Sequence, residues 1–287
     1  MEENSVKVIY NVELIKSVIE DSRRASGNTG IVNGVCTGFY DLDYMTAGFQ
    51  KGDLIFLSGR MGIGKTPLVL SIVDYILKEG KKVAYFSLSS TAKKIMTGLL
   101  SMNSEVKVWD ISNGTVKEND MEKLKNGAEV VSILSLHIED ELYTTASDIQ
   151  SMCRMLKSTG GLDFIVIDGL QYVAPYTAAN HYDMRGQRSE VMHILKKLAV
   201  EIECPILMVS SLDKYGVPKD NRRPDITDLR ENDCTALYSD VIMFLHKVDE
   251  DEYDLIIAKN RSRREGIVKL KPRLEYSKFD NSSFQDR

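Results

Sequence analysis

Cysteine and histidine are sparse in this chain, with four of each in 287 residues. Cys36, Cys153, Cys204 and Cys234 show no metal-type pairing and no regular spacing, so they read as free thiols of a reducing compartment. The histidines, His137, His181, His193 and His246, are equally dispersed, and His137 in an apolar strand reads as a satisfied core residue, not a ligand. No apolar run approaches the length of a membrane-spanning helix, and Met1-Glu2-Glu3-Asn4 lacks a signal-peptide pattern. The expectation is a cytoplasmic protein that does not meet a membrane. Basic excess is missing too. The net charge is −5, so any contact with a polyanion must come from a local patch. Internal repeats and low-complexity tracts are also missing. What remains, with 43% hydrophobic and 28% charged residues, is an ordinary globular composition with enough chain for a large buried core.

Against that plain background one stretch stands out: Gly59-Arg60-Met61-Gly62-Ile63-Gly64-Lys65-Thr66. An apolar run, Leu54-Ile55-Phe56-Leu57, precedes it, and Leu68-Val69-Leu70-Ser71-Ile72-Val73 follows as the first turns of a helix. Strand, glycine loop, then Gly-Lys-Thr opening a helix is the context of a phosphate-binding P-loop. The glycines let backbone N–H groups converge on phosphate oxygens, and the helix start adds partial positive charge. Lys65 would bring a point charge to the β- and γ-phosphates and Thr66 would ligate Mg²⁺, so ATP with Mg²⁺ is the expected ligand.

The rest of the chain alternates between strand and helix. Residues 9–22 carry Val12, Leu14, Ile15, Val18 and Ile19 at helical spacing, followed by a turn-rich linker through Gly27 and Gly30. We therefore divide the chain into a helix and flexible linker, residues 1–30, and a main domain, residues 31–287. In the main domain, strands are expected at 53–58, 83–88, 134–138, 164–167, 204–210, 241–246 and 253–259, with 267–274 as a late pair. Helices are expected at 65–78, 91–102, 118–131, 146–157 and 183–203. Continuous apolar runs such as Phe164-Ile165-Val166-Ile167 fit strands buried on both faces. The fold class is α/β, with a mostly parallel central sheet, helices on both faces and an antiparallel edge near the C-terminus.

Asp168 closes the fourth apolar run, where a carboxylate beside a P-loop would hold the Mg²⁺ shell. Hydrolysis also needs a group to orient or deprotonate water. The neighbouring strand ends, Ser87-Leu88-Ser89-Ser90 and Val209-Ser210-Ser211, offer neither carboxylate nor amide, and a serine is a poor base at neutral pH. Slow turnover is the expectation. Two basic segments complete the inventory. Lys259-Asn260-Arg261-Ser262-Arg263-Arg264 ends a strand, where an arginine could reach a neighbour's γ-phosphate. Lys219, Arg222, Arg223 and Arg230 form the second, nearly cancelled by Asp220, Asp225 and Asp228.

Together these residues resemble the C-terminal motor domain of DnaB-type replicative helicases. The likeness begins with Thr37-Gly38-Phe39-Tyr40-Asp41-Leu42-Asp43 and Gly48-Phe49-Gln50-Lys51-Gly52-Asp53-Leu54, ahead of the P-loop. It continues through Phe86-Ser87-Leu88, Val166-Ile167-Asp168-Gly169-Leu170-Gln171, Arg223-Pro224, Asp228-Leu229-Arg230-Glu231 and Ala258-Lys259-Asn260-Arg261. The resemblance implies a RecA-like fold and a hexameric ring that hydrolyses ATP at subunit interfaces while gripping single-stranded DNA during replication. It implies that the N-terminal helix docks on the adjacent subunit. Arg261 would be the trans-acting finger with Lys259 as companion, and Arg230 and Glu231 would lie in the DNA-following loop, with Arg222 and Arg223 nearby. The family's separate N-terminal helical domain is not seen.

Three departures qualify that expectation. Where the family carries a water-activating Glu this chain has Ser89, and its later Gln is Ser211. Asp233 replaces a glycine whose backbone approaches phosphate. The reading is thus an ATP-binding helicase domain, DNA grip weaker than the family norm, with impaired hydrolysis. The alternatives are a non-motor ring component, loader or scaffold partnering a full-length helicase, or another RecA-like ATPase.

Overall fold

The computed structural model describes residues 15–16, 19, 33–141, 144–174, 184–212, 222–229, 233–261 and 263–282. Most of the expected N-terminal helix therefore lies outside the described residues, as do Arg230 and Glu231. Among the described residues the elements run α1 (Tyr40–Thr46), β1 (Leu54–Gly59), α2 (Lys65–Lys78), β2 (Val83–Ser87), α3 (Ala92–Ser104), α4 (Val108–Asn113), α5 (Glu118–Ser132), β3 (Leu136–Glu139), α6 (Ala146–Thr159), β4 (Phe164–Asp168), α7 (Met184–Glu201), β5 (Ile206–Val209), α8 (Asp233–Tyr238), β6 (Val241–Lys247), β7 (Tyr253–Asn260), β8 (Gly266–Arg273) and β9 (Lys278–Asn281).

The strands form one sheet in the order β3-β2-β4-β5-β1-β6-β7-β8-β9. The first six pair in parallel, and β6 to β9 pair antiparallel, which is the expected edge. Alternation along β1 sorts the core into two layers. Ile55 and Leu57 pack with Leu68, Val69 and Ile72 of α2 on one face. Leu54 and Phe56 pack with Leu195 and Leu198 of α7 on the other. Both faces are covered, so β1, β2, β4 and β5 are buried along their whole length.

Three short helices, α1, α4 and α8, carry too few apolar residues for a period to be read from sequence. α4 buries none of its residues at all. The late pair also divides differently than expected. Its second member is β9, reached through a turn at Ser277, which adopts φ 55°. His137 is not a satisfied core residue: it is half-buried on the edge strand β3, and its Nε2 finds no partner among the described residues. The thiols of Cys153 and Cys204 are buried, and burial pushes both up to about 12. They stay protonated and serve as core side chains.

At the edge of the sheet where β1 and β6 begin, Asp240 accepts from Leu54 N at 2.8 Å and from Lys196 Nζ at 2.6 Å. Asp53 lies beside it, and burial, reinforced by Asp240, pushes its carboxyl up to about 6. A carboxyl raised on folding contributes stability that is present below its unfolded value and lost as pH rises through about 6. Asn mimics the protonated form and can still accept from Gln50 N. Asp53→Asn should therefore raise the unfolding free energy at neutral pH by about 1–2 kcal/mol, after allowing for the side chain's partial contact with water. Urea unfolding at pH 4.5 and pH 7 tests this: the wild type should lose stability over that interval more steeply than the variant.

Candidate functional site

β1 ends at the C-terminal edge of the parallel sheet, between β5 and β6, and the chain must turn there within six residues to start α2. Gly62 and Gly64 take φ of 76° and 103°, values that an L side chain rarely adopts, so the turn requires glycine at both positions. Gly64 is the residue before the helix, and no side chain caps the helix start. The first N–H groups of α2 are thus left for a ligand, and Pro67 in the first turn removes a donor the helix does not use. Met61 stands at the loop tip, 86% exposed.

Lys65 folds back over the loop, donating to Gly59 O at 3.1 Å and Arg60 O at 2.9 Å. It is buried, and burial brings its ammonium down to about 8 despite the opposing pull of Asp168. A buried cation with no ion-pair partner among the described residues is poised for an incoming anion.

Asp168 arrives by register. Ser87 pairs with Asp168, and Asp168 with Val209, which sets the carboxylate two strands away from the P-loop. Thr66 Oγ1 donates to Asp168 Oδ2 at 2.8 Å, and the buried Tyr85 hydroxyl donates to the same oxygen at 2.8 Å. Tyr85 was not anticipated from the sequence, because nothing in an apolar strand marks one hydroxyl as reaching a neighbouring strand end. The Thr66 hydroxyl and one carboxylate, in contact, suit a hard divalent cation that keeps most of its shell as water and phosphate oxygen. Among the described residues no group of three or more His, Cys, Asp or Glu gathers to hold a metal by itself. A cation held by Thr66 and Asp168 would take the rest of its shell from water or a phosphate oxygen.

The cavity over these residues measures about 860 Å³ and is bordered by Lys65, Thr66, Ser89, Asp168, Gln171, Tyr172, Arg188, Ser210 and Ser211. Ser89 and Ser211 occupy the two wall positions where sequence reasoning looked for a catalytic carboxylate or amide. One amide is nevertheless present. Asp168 is followed by Gly169 at φ 112°, and the chain then coils through the 3₁₀ turn Leu170–Tyr172. That coil carries Gln171 to the cavity, where Ser210 Oγ donates to its Oε1 at 3.1 Å. A Cβ on Gly169 would lie 2.8 Å from the Tyr172 ring and 3.2 Å from Ser89 Cβ, so only glycine permits this closure. The Asp-Gly-x-Gln spacing is the signal for it in the sequence, a weak one because Gln171 does not end a strand.

Other predicted residues lie elsewhere. Val241 pairs with Asn260, whereas Gly59 pairs with Leu245, so Arg261 sits at the opposite edge of the sheet from the P-loop of its own chain. Four residues of β6 separate those levels, roughly 13 Å at 3.3 Å per residue. There Arg261 is 66% exposed and its Nη1 lies 3.3 Å from Asp240 Oδ1. Lys259 Nζ donates to Ala236 O and Ser239 O, both at 2.7 Å, closing the end of α8. Arg222 is paired with Asp228 at 2.6 Å, and Arg223 with the fully buried Asp254 at 2.6 Å. The side chain of Asp233 lies outside the described residues.

The model of the DnaB-like helicase C terminal domain family matches residues 34–281 of this chain. Among curated relatives, the replicative DNA helicase DnaB of Geobacillus stearothermophilus is 32% identical over 261 residues, covering 88% of this chain and 57% of that protein. The replicative DNA helicase DnaC of Bacillus subtilis (strain 168) is 31% identical over 281 residues, covering 94% of this chain and 61% of that protein. The chain thus spans about three fifths of the length of these relatives. Of solved structures, one described as an ATPase domain superposes with a TM-score of 0.88 at 26% identity, covering 96% of this chain and all of that one. A DnaB-like replicative helicase described with its interactions with primase gives 0.84 at 26% identity, over 96% of this chain and 68% of that one.

Proposed function

The chain belongs to the DnaB-like helicase C-terminal domain family, with its RecA-like fold, and we propose on that footing that it binds ATP with Mg²⁺ and serves as a replicative helicase domain on single-stranded DNA. The observation that carries this is the cradle itself, in which a buried Lys65, with no ion-pair partner among the described residues, borders one cavity with a Thr66–Asp168 pair. When ATP enters, the Lys65 ammonium leaves the Gly59 and Arg60 carbonyls for the β- and γ-phosphates, and the free N–H groups of α2 close on the phosphate oxygens. Thr66 and Asp168 would hold Mg²⁺, which neutralises the charge that develops on the leaving phosphate. Tyr85 keeps the carboxylate turned toward that position.

Turnover is slow on this reading, because among the described residues two serines, Ser89 and Ser211, and no carboxylate stand where the attacking water must be deprotonated. Gln171, the one carboxamide bordering the cavity among the described residues, can orient that water but cannot take its proton. The position of Arg261, away from its own P-loop and exposed, supports a role in trans, which requires a ring, most simply a hexamer. Lys259 would steady the same edge. In such a ring the N-terminal helix, residues 1–30 with their linker, would dock on the neighbouring subunit. Ile15 and Ile19 are both exposed on the described chain, which supports this.

DNA would follow the segment of Arg230 and Glu231. The pairing of Arg222 and Arg223 with carboxylates and the net charge of −5 support a grip weaker than that of a strongly basic channel. We place the protein in the cytoplasm. No helix among the described residues is long and apolar enough to cross a membrane. A second reading, an ATP-binding ring component or loader that works with a full-length helicase, draws on Ser89 and Ser211. ATP turnover with and without single-stranded DNA separates the two. The motor predicts DNA-stimulated hydrolysis that Asp168→Ala removes; a rate that DNA leaves unchanged supports the scaffold.

A further inference from the structure

Arg188 is a cation in the nucleotide cavity that none of the sequence motifs contains. It lies on α7, one turn beyond the helix start, and borders the same cavity as Lys65, Asp168, Gln171 and Ser211. α7 packs on the sheet face opposite α2, through Val191, Met192, Leu195 and Leu198. β4, the strand that precedes α7 in the chain, ends at the edge of the sheet that also carries the P-loop. Arg188 therefore comes, from the helix layer opposite α2, to the cavity that Lys65, Asp168 and Ser211 also border.

Its chemistry is unanswered. Lys196 on the same helix is held by Asp240, and Arg154 on α6 is held by Glu201. Arg188 makes no hydrogen bond or ion pair among the described residues, although it is half-buried. A guanidinium loses much of its water when half-buried, and its planar fork matches the oxygens of a phosphate. The polar side chains that β5 and the turn after β4 bring to the cavity, Ser210, Ser211 and Gln171, are all neutral. A polyphosphate anchored by the P-loop would share this cavity with Arg188.

We propose that Arg188 is a phosphate-binding residue acting in cis, contacting the terminal phosphate of a bound nucleoside triphosphate and thereby distinguishing triphosphate from diphosphate. The inference rests on the nucleotide-site reading above and adds to it a second cation from the opposite layer. It also fits the wall's other property: where a base is missing, a fixed positive charge still stabilises the negative charge that gathers on the transferring group.

The test compares Arg188→Gln and Arg188→Lys with wild type by calorimetry, using a slowly hydrolysed ATP analogue and ADP, each with Mg²⁺. Arg188→Gln should weaken the triphosphate at least about tenfold, the effect of one charge-assisted contact, while ADP stays within about twofold. Arg188→Lys should recover part of the triphosphate affinity, because the charge returns without the fork. Retained ADP binding also shows that the variant is folded. Equal losses for both nucleotides, or no change for either, would overturn the proposal while leaving the nucleotide site intact. A loss of single-stranded DNA binding with an unaltered triphosphate-to-diphosphate ratio would overturn it too, assigning Arg188 to DNA. If wild type binds neither nucleotide while remaining folded, the nucleotide site itself falls, and this inference with it.

Discussion

Lys65→Ala is expected to weaken Mg²⁺-dependent ATP binding by at least about a hundredfold without lowering the melting temperature of the free protein. The two halves of that result have one cause. Lys65 is buried, and burial brings its ammonium down to about 8. A depressed lysine means that the unfolded chain holds the proton more tightly than the folded one, so at neutral pH the charge opposes folding. Its two hydrogen bonds to Gly59 O and Arg60 O offset part of that cost. Removing the side chain thus takes away a desolvated charge along with its bonds, and the fold has little to lose. The ligand loses two charge-assisted contacts, each worth about 1.5–3 kcal/mol where water is excluded. The same depression predicts a pH dependence for wild type. Phosphate binding draws a proton onto Lys65 when the free group has lost it, so affinity should fall above about pH 8 and stay level below it. Calorimetry across pH 7 to 9.5, paired with thermal unfolding of the variant, checks both halves. Unchanged binding in Lys65→Ala would remove the basis of the nucleotide reading.

The second large effect is a gain. Ser89→Glu should raise the ATP hydrolysis rate at least about tenfold, toward the 10²–10⁴-fold range that a positioned general base contributes. Ser89 is exposed at the cavity wall, one residue past Leu88, whose N–H donates to Asp168 O at 3.0 Å. A longer side chain there meets open space in the cavity instead of core, so the substitution should be tolerated. The hydrogen bond at Leu88 holds the end of β2 against the end of β4, and a Glu so placed would hang beside the Asp168 carboxylate and near Gln171. Gln171 can aim a water molecule; the new carboxylate can take its proton. Single-turnover rates of wild type, Ser89→Glu and Ser89→Gln separate these roles. If Gln accelerates as much as Glu, orientation limits the reaction and the missing-base account fails. If neither variant moves a wild-type rate that is already fast and sensitive to Asp168→Ala, the impairment inferred from Ser89 is wrong.

Much of this molecule could be read from the chain alone, for reasons that are local. The P-loop is written in glycine spacing, and its two left-handed glycines stand where any backbone making that turn must have them. α2 spans the residues expected from periodicity because its apolar face is long and its ends are marked. The fully buried strands β1, β4 and β5 show as unbroken apolar runs because both faces are covered. The family itself followed from motif order, and residues 34–281 match its model. The short helices α1, α4 and α8 escaped because a helix of six or seven residues shows too little period. α1 is instead held by Asp43, buried beneath the turn and accepting from Thr37 N at 2.8 Å and Thr37 Oγ1 at 2.9 Å.

The amino-acid order by itself determined that this is an α/β P-loop domain, with Lys65, Thr66 and Asp168 in place and serines at the ends of two flanking strands. Only the tertiary structure decided which other side chains share that cavity. Tyr85 reaches Asp168 because β2 pairs with β4 in one particular register. Gln171 arrives because Gly169 lets the chain fold back at once. Arg188 arrives from the opposite layer, and Arg261 is carried to the far edge because β7 runs antiparallel to β6. The placements of Tyr85, Arg188 and Arg261 depend on long-range pairing and on the direction of a strand, which leave no mark in the spacing of residues along the chain, whereas Gln171 follows from the local turn at Gly169.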